Sequence, residues 1–395
     1  MDILKLIGRT RELFEEDLQK YNPEIEKLVR NNRFLVIGGA GSIGKAVVKE
    51  IFKRNPLKLH VVDISENNLV ELVRDLRSTY GYIDGDFQTF SLDVGSQIYD
   101  AFIKADGKYD YVLNLSALKH VRSEKDVFTL MRMIEVNVLN TIKTIEQSIS
   151  SGVKKYFCVS TDKAANPVNL MGATKRVMEL YLTDLGQRIT ISSARFANVA
   201  FSDGSLLHGF EERLKQNHPI VAPTDVKRYF VTPQESGILC LMSCLFGENG
   251  EIYFPKLDET EHLVTFTEIA DKFLLENGYE PVHCLSEEEA RASVLELKAK
   301  RKWPCFYSPS DTTGEKAFEE FYMDNESILL EKYIDLGIVK QSLKTEKNDL
   351  IDFRNQITSL LEKGIWSKVE LVQLIRMLLP DFEYEDKGKY LDAKM

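Results

Sequence analysis

The stretch "RFLVIGGAGSIGKAVVKEIF", residues 33–52, restricts the fold more than any other feature of this chain. An apolar run of strand character enters Gly38-x-x-Gly41-x-x-Gly44, and a helical pattern leaves it. Glycines at this spacing permit a tight turn and let the backbone approach a pyrophosphate, which rests on the N-terminus of the next helix. Ser42 and Ile43 lie in that helix start and join the three glycines as candidate cofactor contacts. A glycine triad alone is a weak signal; its context strengthens it. Asp63 ends the next strand pattern, "LHVVDI", where a carboxylate can accept both ribose hydroxyl protons. No Arg or Lys stands between Asp63 and Arg74 to receive a 2′-phosphate, so the expected cofactor is NAD rather than NADP. Capping of the following helix is the other reading of Asp63, and Ser65 could serve as that cap equally well. Asp93, in "SLDVGS", ends the third strand pattern, and either adenine contact or helix capping suits it.

Strand and helix patterns alternate around this turn. "RFLVIGG", "KLHVVDI", "FQTFSLDV", "YDYVLNLSA", "KKYFCVST" and "RITISSARF" read as strands. Helical patterns fall at Ser42–Phe52, Asn67–Tyr80, Val127–Ile149 and Leu170–Leu185. Such alternation predicts an α/β fold with a Rossmann-type, doubly wound parallel sheet. Four parts are expected: an N-terminal helical segment over 1–31, broken at Asn22-Pro23; a dinucleotide-binding domain over 32–197; a smaller substrate-binding lobe over 198–285; and a helical C-terminal extension over 286–395.

Composition sets outer limits. Hydrophobic residues are 44% and charged residues 28% of 395, as in ordinary globular proteins. A net charge of −10 argues against a nucleic-acid surface. No apolar run reaches the roughly 20 residues of a membrane span. The first residues mix both charge signs too early for a signal-peptide core. A cytoplasmic protein is therefore expected. The five cysteines are sparse and odd in number; Cys240 and Cys244 read as buried core rather than as a metal site, and no metal is expected.

Open α/β sheets bind ligands at the carboxyl ends of their strands. The fourth strand ends in "NLSALKHV", where Ser116 and Ala117 leave room for a dinucleotide and Lys119 and His120 could reach phosphates or substrate. The fifth delivers "STDKAANPVNLMGATK", with Thr161, Asp162 and Lys163 at the sheet edge and Met171 four residues before Lys175. An adjacent Asp and Lys there offer an acid–base pair.

These motifs resemble the extended short-chain dehydrogenase/reductase superfamily. Within it, Thr161-Asp162-Lys163, the Asn166-Pro167 turn and Gly172-Ala173-Thr174-Lys175 are similar to the sugar-nucleotide 4,6-dehydratases of bacterial surface-glycan pathways. "NLSALKHV", "RFANV" and "TDVKRYF" extend the likeness over roughly residues 30–280, and the final "YLDAKM" extends it weakly. The usual Tyr-x-x-x-Lys motif has Met171 in its Tyr slot, as in the members that retain configuration at C5. The resemblance implies a UDP-N-acetylglucosamine substrate, NAD, and internal redox chemistry. Asp162 would be the acid at C6 and Lys163 the base at C5, a role that requires a neutral amine, with burial and the nearby Lys175 pushing the proton off. Lys175 would bind the nicotinamide ribose, and Thr161 would orient the C4 hydroxyl. Met171, Asn198, Ser205, Thr224 and Arg228 would lie on the substrate side. The helices 127–149 and 170–185 would pair subunits into a dimer or larger homo-oligomer. An inverting dehydratase, a 4-epimerase, and a non-catalytic dinucleotide-binding scaffold are the other readings.

Overall fold

The computed structural model describes residues 1–258, 262–310, 314, 316, 318–341, 345–386 and 388. The expected "YLDAKM" motif, residues 390–395, lies outside them. The six strand patterns all form strands: β1 (Arg33–Ile37), β2 (Lys58–Asp63), β3 (Asp86–Ser91), β4 (Tyr111–Asn114), β5 (Lys155–Thr161) and β6 (Thr190–Phe196). They pair in parallel in the order β3-β2-β1-β4-β5-β6. The chain order reverses between β1 and β4, which opens a crevice above their carboxyl ends. β1 and β5 are buried almost throughout, as strands covered on both faces must be.

Helices on both sides supply the cover. Val36, Val47, Ile51, Phe157 and Leu241 share one core, and Leu35, Ile134, Val177, Ile191 and Phe353 share the other. Local chemistry sets the helix starts. Ser65 accepts the Asn68 N–H and caps Glu66–Tyr80, Ser96 caps Gln97–Asp106, and Asn169 accepts the Gly172 N–H to start Leu170–Leu185. The pattern read as one helix over 127–149 is Val127–Ile134 and Asn140–Ser150, joined by a π-turn at Glu135–Leu139. The N-terminal segment is not broken at Asn22-Pro23, because the helix Glu15–Arg30 runs through Pro23. The proline only withdraws one N–H, the donor that Gln19's carbonyl would otherwise receive.

A smaller lobe carries its own core, with Phe210, Ile220, Phe273 and Trp303 all buried. Its three-stranded sheet joins Ile220–Pro223, Lys302–Ser308 and Glu280–His283.

The C-terminal region is helical at Glu287–Ala299, Lys347–Lys363 and Lys368–Leu378. Between these helices it also contributes strands. Lys302–Ser308 sits in the centre of the lobe sheet. Leu336–Lys340 and Ser327–Leu329 add two antiparallel strands to the main sheet, beyond Glu251–Pro255, which follows β6 in parallel. A buried ion network anchors this hairpin. Arg195 of β6 is fully buried and reaches Glu179 at 2.7 Å and Glu326 at 2.6 Å. Burial alone would raise the Glu179 carboxyl; Arg195 reverses that and holds it at about 2.

The last two helices lie across the Val127–Ser150 and Leu170–Leu185 helices. Tyr181 donates to the Leu350 carbonyl at 2.5 Å, Arg354 pairs with Glu146, and the Trp366 indole donates to the Val127 carbonyl. A dimer through these helices, as expected from sequence, would meet a face that the chain's own helices already cover.

Candidate active site

Two adjoining cavities occupy the crevice at the carboxyl ends of β1, β4 and β5. One, of about 320 Å³, is lined by Gly38, Gly41, Ser42, Ile43, Gly44, Ala117, Lys119, His120, Thr161, Asp162, Lys163, Met171, Lys175, Asn198 and Ser205 among others. The second, of about 350 Å³, is lined by Gly38, Gly41, Asp63, Asp93, Ser116, Ala117 and Arg132 among others. The expected cofactor residues and most of the expected catalytic and substrate residues thus meet around one continuous space.

The glycine turn is a cradle that side chains would fill. A Cβ on Gly44 would lie 2.2 Å from the Gly38 carbonyl oxygen. Gly38 itself has φ +71°, and a Cβ there would lie 2.6 Å from the Ser116 nitrogen. Gly41 starts the helix Ser42–Phe52 with no side-chain cap, leaving its first N–H groups to a ligand. Asp63 accepts the Ala40 N–H at 3.0 Å and the Ser65 N–H at 2.9 Å. It therefore braces the turn, while Ser65 is the helix cap. Asp93 accepts the Gly95 N–H and pairs with Arg132 at 3.2 Å; Ser96, not Asp93, caps the next helix. A turn of this width with an acidic residue closing it fits a dinucleotide.

The segment from Thr161 to Lys175 is packed tightly. Asp162 is buried, and its Oδ1 accepts from the Thr161 hydroxyl at 2.8 Å, the Lys163 N–H at 2.8 Å and the Lys163 ammonium at 3.3 Å. Its Oδ2 has no hydrogen-bond partner among the described residues. Gly172 permits this packing, since a Cβ there would lie 2.2 Å from the Lys163 carbonyl oxygen. Lys175 is buried and donates to the Val159 carbonyl at 3.0 Å; burial pushes its pKa down, with Cys158 and Glu179 opposing. Met171 is 3% exposed and is one of the residues lining the cavity. Its N–H donates to Glu124, a fully buried carboxyl that burial raises to about 7.

Lys119 and His120 stand at the cavity wall. Both are crowded enough by neighbouring atoms to have lowered pKa values, and Lys119 adds to the effect on His120. The His120 ring packs over Gly204, where a Cβ would come within 3.0 Å of it. Ser42 and Asp203 exchange two hydrogen bonds, 2.8 and 2.9 Å, and tie the cofactor helix to the lobe. Ser205 caps the helix Leu206–Lys215, and Asn198 donates to the Tyr229 carbonyl.

Thr224 and Arg228 lie outside the lining of both cavities. Thr224 is exposed and donates its N–H to Ser308. Arg228 is 3% exposed and donates to the Lys227 and Lys316 carbonyls. Lys163 lines the same cavity as Lys175, and its ammonium also lies near two carboxylates, Asp162 at 3.3 Å and Glu319 at 3.6 Å. Glu319, Lys316, Glu124 and Arg132 escaped the sequence reading, because none belongs to a motif and each reaches the site only through tertiary packing. Cys240 and Cys244 are buried in the helix Pro233–Phe246. Among the described residues no cluster of His, Cys, Asp and Glu has metal-site geometry.

Residues 34–340 match the model of the family described as polysaccharide biosynthesis protein. The chain belongs to that family. Its relatives include an uncharacterized membrane protein of Methanocaldococcus jannaschii, 30% identical over 353 residues, covering 88% of this chain and 97% of that one. A UDP-N-acetylglucosamine 4,6-dehydratase (inverting) of Campylobacter jejuni is 26% identical over 58% of this chain and 68% of its own length. Among solved structures, Pen from Bacillus thuringiensis superposes with a TM-score of 0.62, 24% identity, and 80% and 88% coverage of the two chains. DesIV, a dTDP-glucose 4,6-dehydratase of Streptomyces venezuelae with NAD and TYD bound, gives 0.54 at 17% identity, covering 73% of this chain and 89% of that one. Both share the Rossmann fold seen in this chain. No helix among the described residues is long and apolar enough to cross a membrane.

Proposed function

We propose that this chain is an NAD-dependent sugar-nucleotide 4,6-dehydratase that acts on UDP-N-acetylglucosamine and retains configuration at C5. The observation that carries the reading is the convergence of Asp162, Lys163, Met171 and Lys175 on one cavity beside the glycine cradle. Gly38, Gly41, Gly44 and Asp63 would hold the dinucleotide. NAD, when bound, supplies the hydride acceptor and donor. Lys175 directs one donor to the Val159 carbonyl and one to the Met178 thioether, which leaves a third for a ribose hydroxyl. Thr161 donates to Asp162 and accepts the Lys163 N–H, which leaves one lone pair on its oxygen for a sugar hydroxyl.

A 4-ketone acidifies the C5 proton, and Lys163, as an amine, would remove it. Asp162, through the Oδ2 that has no hydrogen-bond partner among the described residues, would pass a proton to the C6 hydroxyl as water leaves. General acid–base help of this kind is worth roughly 10²–10⁴-fold per step. The thioether of Met171 takes no proton, so acid–base work rests on residues 161–163. The inverting reading has its own support in the Campylobacter jejuni relative. Incubation with UDP-N-acetylglucosamine in deuterated water, followed by NMR, separates the two. A 4-keto-6-deoxy product with C5 retained is expected. C5 inversion would favour the second reading, and absence of any 4-keto product would refute both.

A further inference from the structure

Glu319 comes from the C-terminal region, is 3% exposed, and is no part of the cavity lining. Its Oε1 lies 3.6 Å from the Lys163 ammonium and 3.9 Å from Arg228. Its Oε2 lies 3.9 Å from the Lys316 ammonium and has no hydrogen-bond partner among the described residues. Asp162, 3.3 Å from the Lys163 ammonium, also keeps one buried oxygen without a hydrogen-bond partner among the described residues. Two buried carboxylates therefore flank one ammonium. A buried ion pair bears a desolvation penalty on each charge, and a neighbouring carboxylate disfavours ionisation of Glu319. Burial raises the Glu319 carboxyl, the charge of Asp162 adds to it, and Lys163, Arg228 and Lys316 oppose.

We propose that Glu319 is a positioning residue that takes the proton of Lys163, leaving a neutral amine facing the cavity. The inference rests on the dehydratase reading, which needs that amine as a base. The step moves one proton from Nζ to Oε1. The ammonium becomes an amine, the carboxylate becomes a carboxylic acid, and the net charge of the pair stays zero. The flexible lysine stem can close the 3.6 Å separation to a hydrogen bond. This gives the C-terminal region a part in the chemistry without contact to substrate.

The first test needs no turnover. The infrared difference spectrum of the wild-type protein minus Glu319→Gln, near neutral pH, should contain a carboxylic-acid carbonyl band. No band means that Glu319 is ionised, and the proposal is overturned. The second test uses the dehydration assay. Glu319→Gln should lose about 100-fold in kcat at neutral pH with little change in KM. Raising the pH should restore the rate, because Lys163 can then lose its proton to solvent, and Glu319→Asp should recover part of it at neutral pH. A Glu319→Gln enzyme with a wild-type pH profile, or a loss that high pH does not recover, overturns the proposal. Should the wild-type protein form no 4-keto product, the dehydratase reading fails, and the infrared band alone decides whether residue 319 holds the proton.

Discussion

Glu124 lends itself to a quantitative test. Its side chain is fully buried, Oε1 accepts the Met171 N–H at 2.9 Å, and Oε2 has no hydrogen-bond partner among the described residues. Burial raises the carboxyl from 4.5 to about 7, with the backbone N–H groups of Met171 and Leu170 opposing. Each tenfold change in an ionisation constant is about 1.4 kcal/mol, so ionising this group in the folded protein costs roughly 3 kcal/mol. The folded-state value lies above the unfolded one. The stabilisation is therefore complete below about 4.5 and is lost as pH rises through about 7. Glu124→Gln keeps an acceptor for Met171 and removes the ionisation. Denaturant unfolding of both proteins at a series of pH values should show the wild type losing roughly 3 kcal/mol relative to the variant across that window. A difference that does not change with pH would refute the reasoning. Since Glu124 holds the first turn of the Leu170–Leu185 helix, its ionisation should also loosen the backbone that places Met171.

Asp162→Asn should abolish dehydration while NAD stays bound, as read by product NMR and by cofactor content after gel filtration; normal turnover would sink the acid assignment. Gly44→Ala should lose NAD binding in a cofactor-titration assay, because the new Cβ would sit 2.2 Å from the Gly38 oxygen and the turn must move. Phe353→Ala removes a ring that is 1% exposed where the C-terminal helices meet the Leu170–Leu185 helix. It should cost about 3–5 kcal/mol of stability, seen as a lowered thermal midpoint.

Most of the six parallel strands were legible because they are short apolar runs bounded by turn residues, a pattern that burial on both faces demands; β3, at the sheet edge, has no fully buried position. The cradle was legible because close approach excludes side chains at Gly38 and Gly44. Asp162 and Lys175 could be located because they lie at a strand end and in the helix that follows. The later strands were hidden for definite reasons. Lys302–Ser308 carries Pro304 in its middle, which argues against a strand on sequence grounds. Leu336–Lys340 carries Gly337, and the structure shows why: a Cβ there would lie 2.3 Å from the Phe254 ring. Pro23 misled in the opposite direction, since tertiary packing carries a helix through it. Glu319 could not be read at all, for its meaning lies in what it approaches across 156 residues of sequence from Lys163.

The route of the C-terminal region has a consequence for how such a protein can change. After Ser308 the chain leaves the centre of the lobe sheet. It passes Lys163 at Glu319, enters the far edge of the main sheet at Ser327, and ends as helices on another face. A region threaded in this way is stitched through the molecule rather than appended to it. No single cut between residues 300 and 335 leaves the rest intact; each removes a strand of the main sheet, and the earlier ones also remove the buried charge network or the carboxylate beside Lys163.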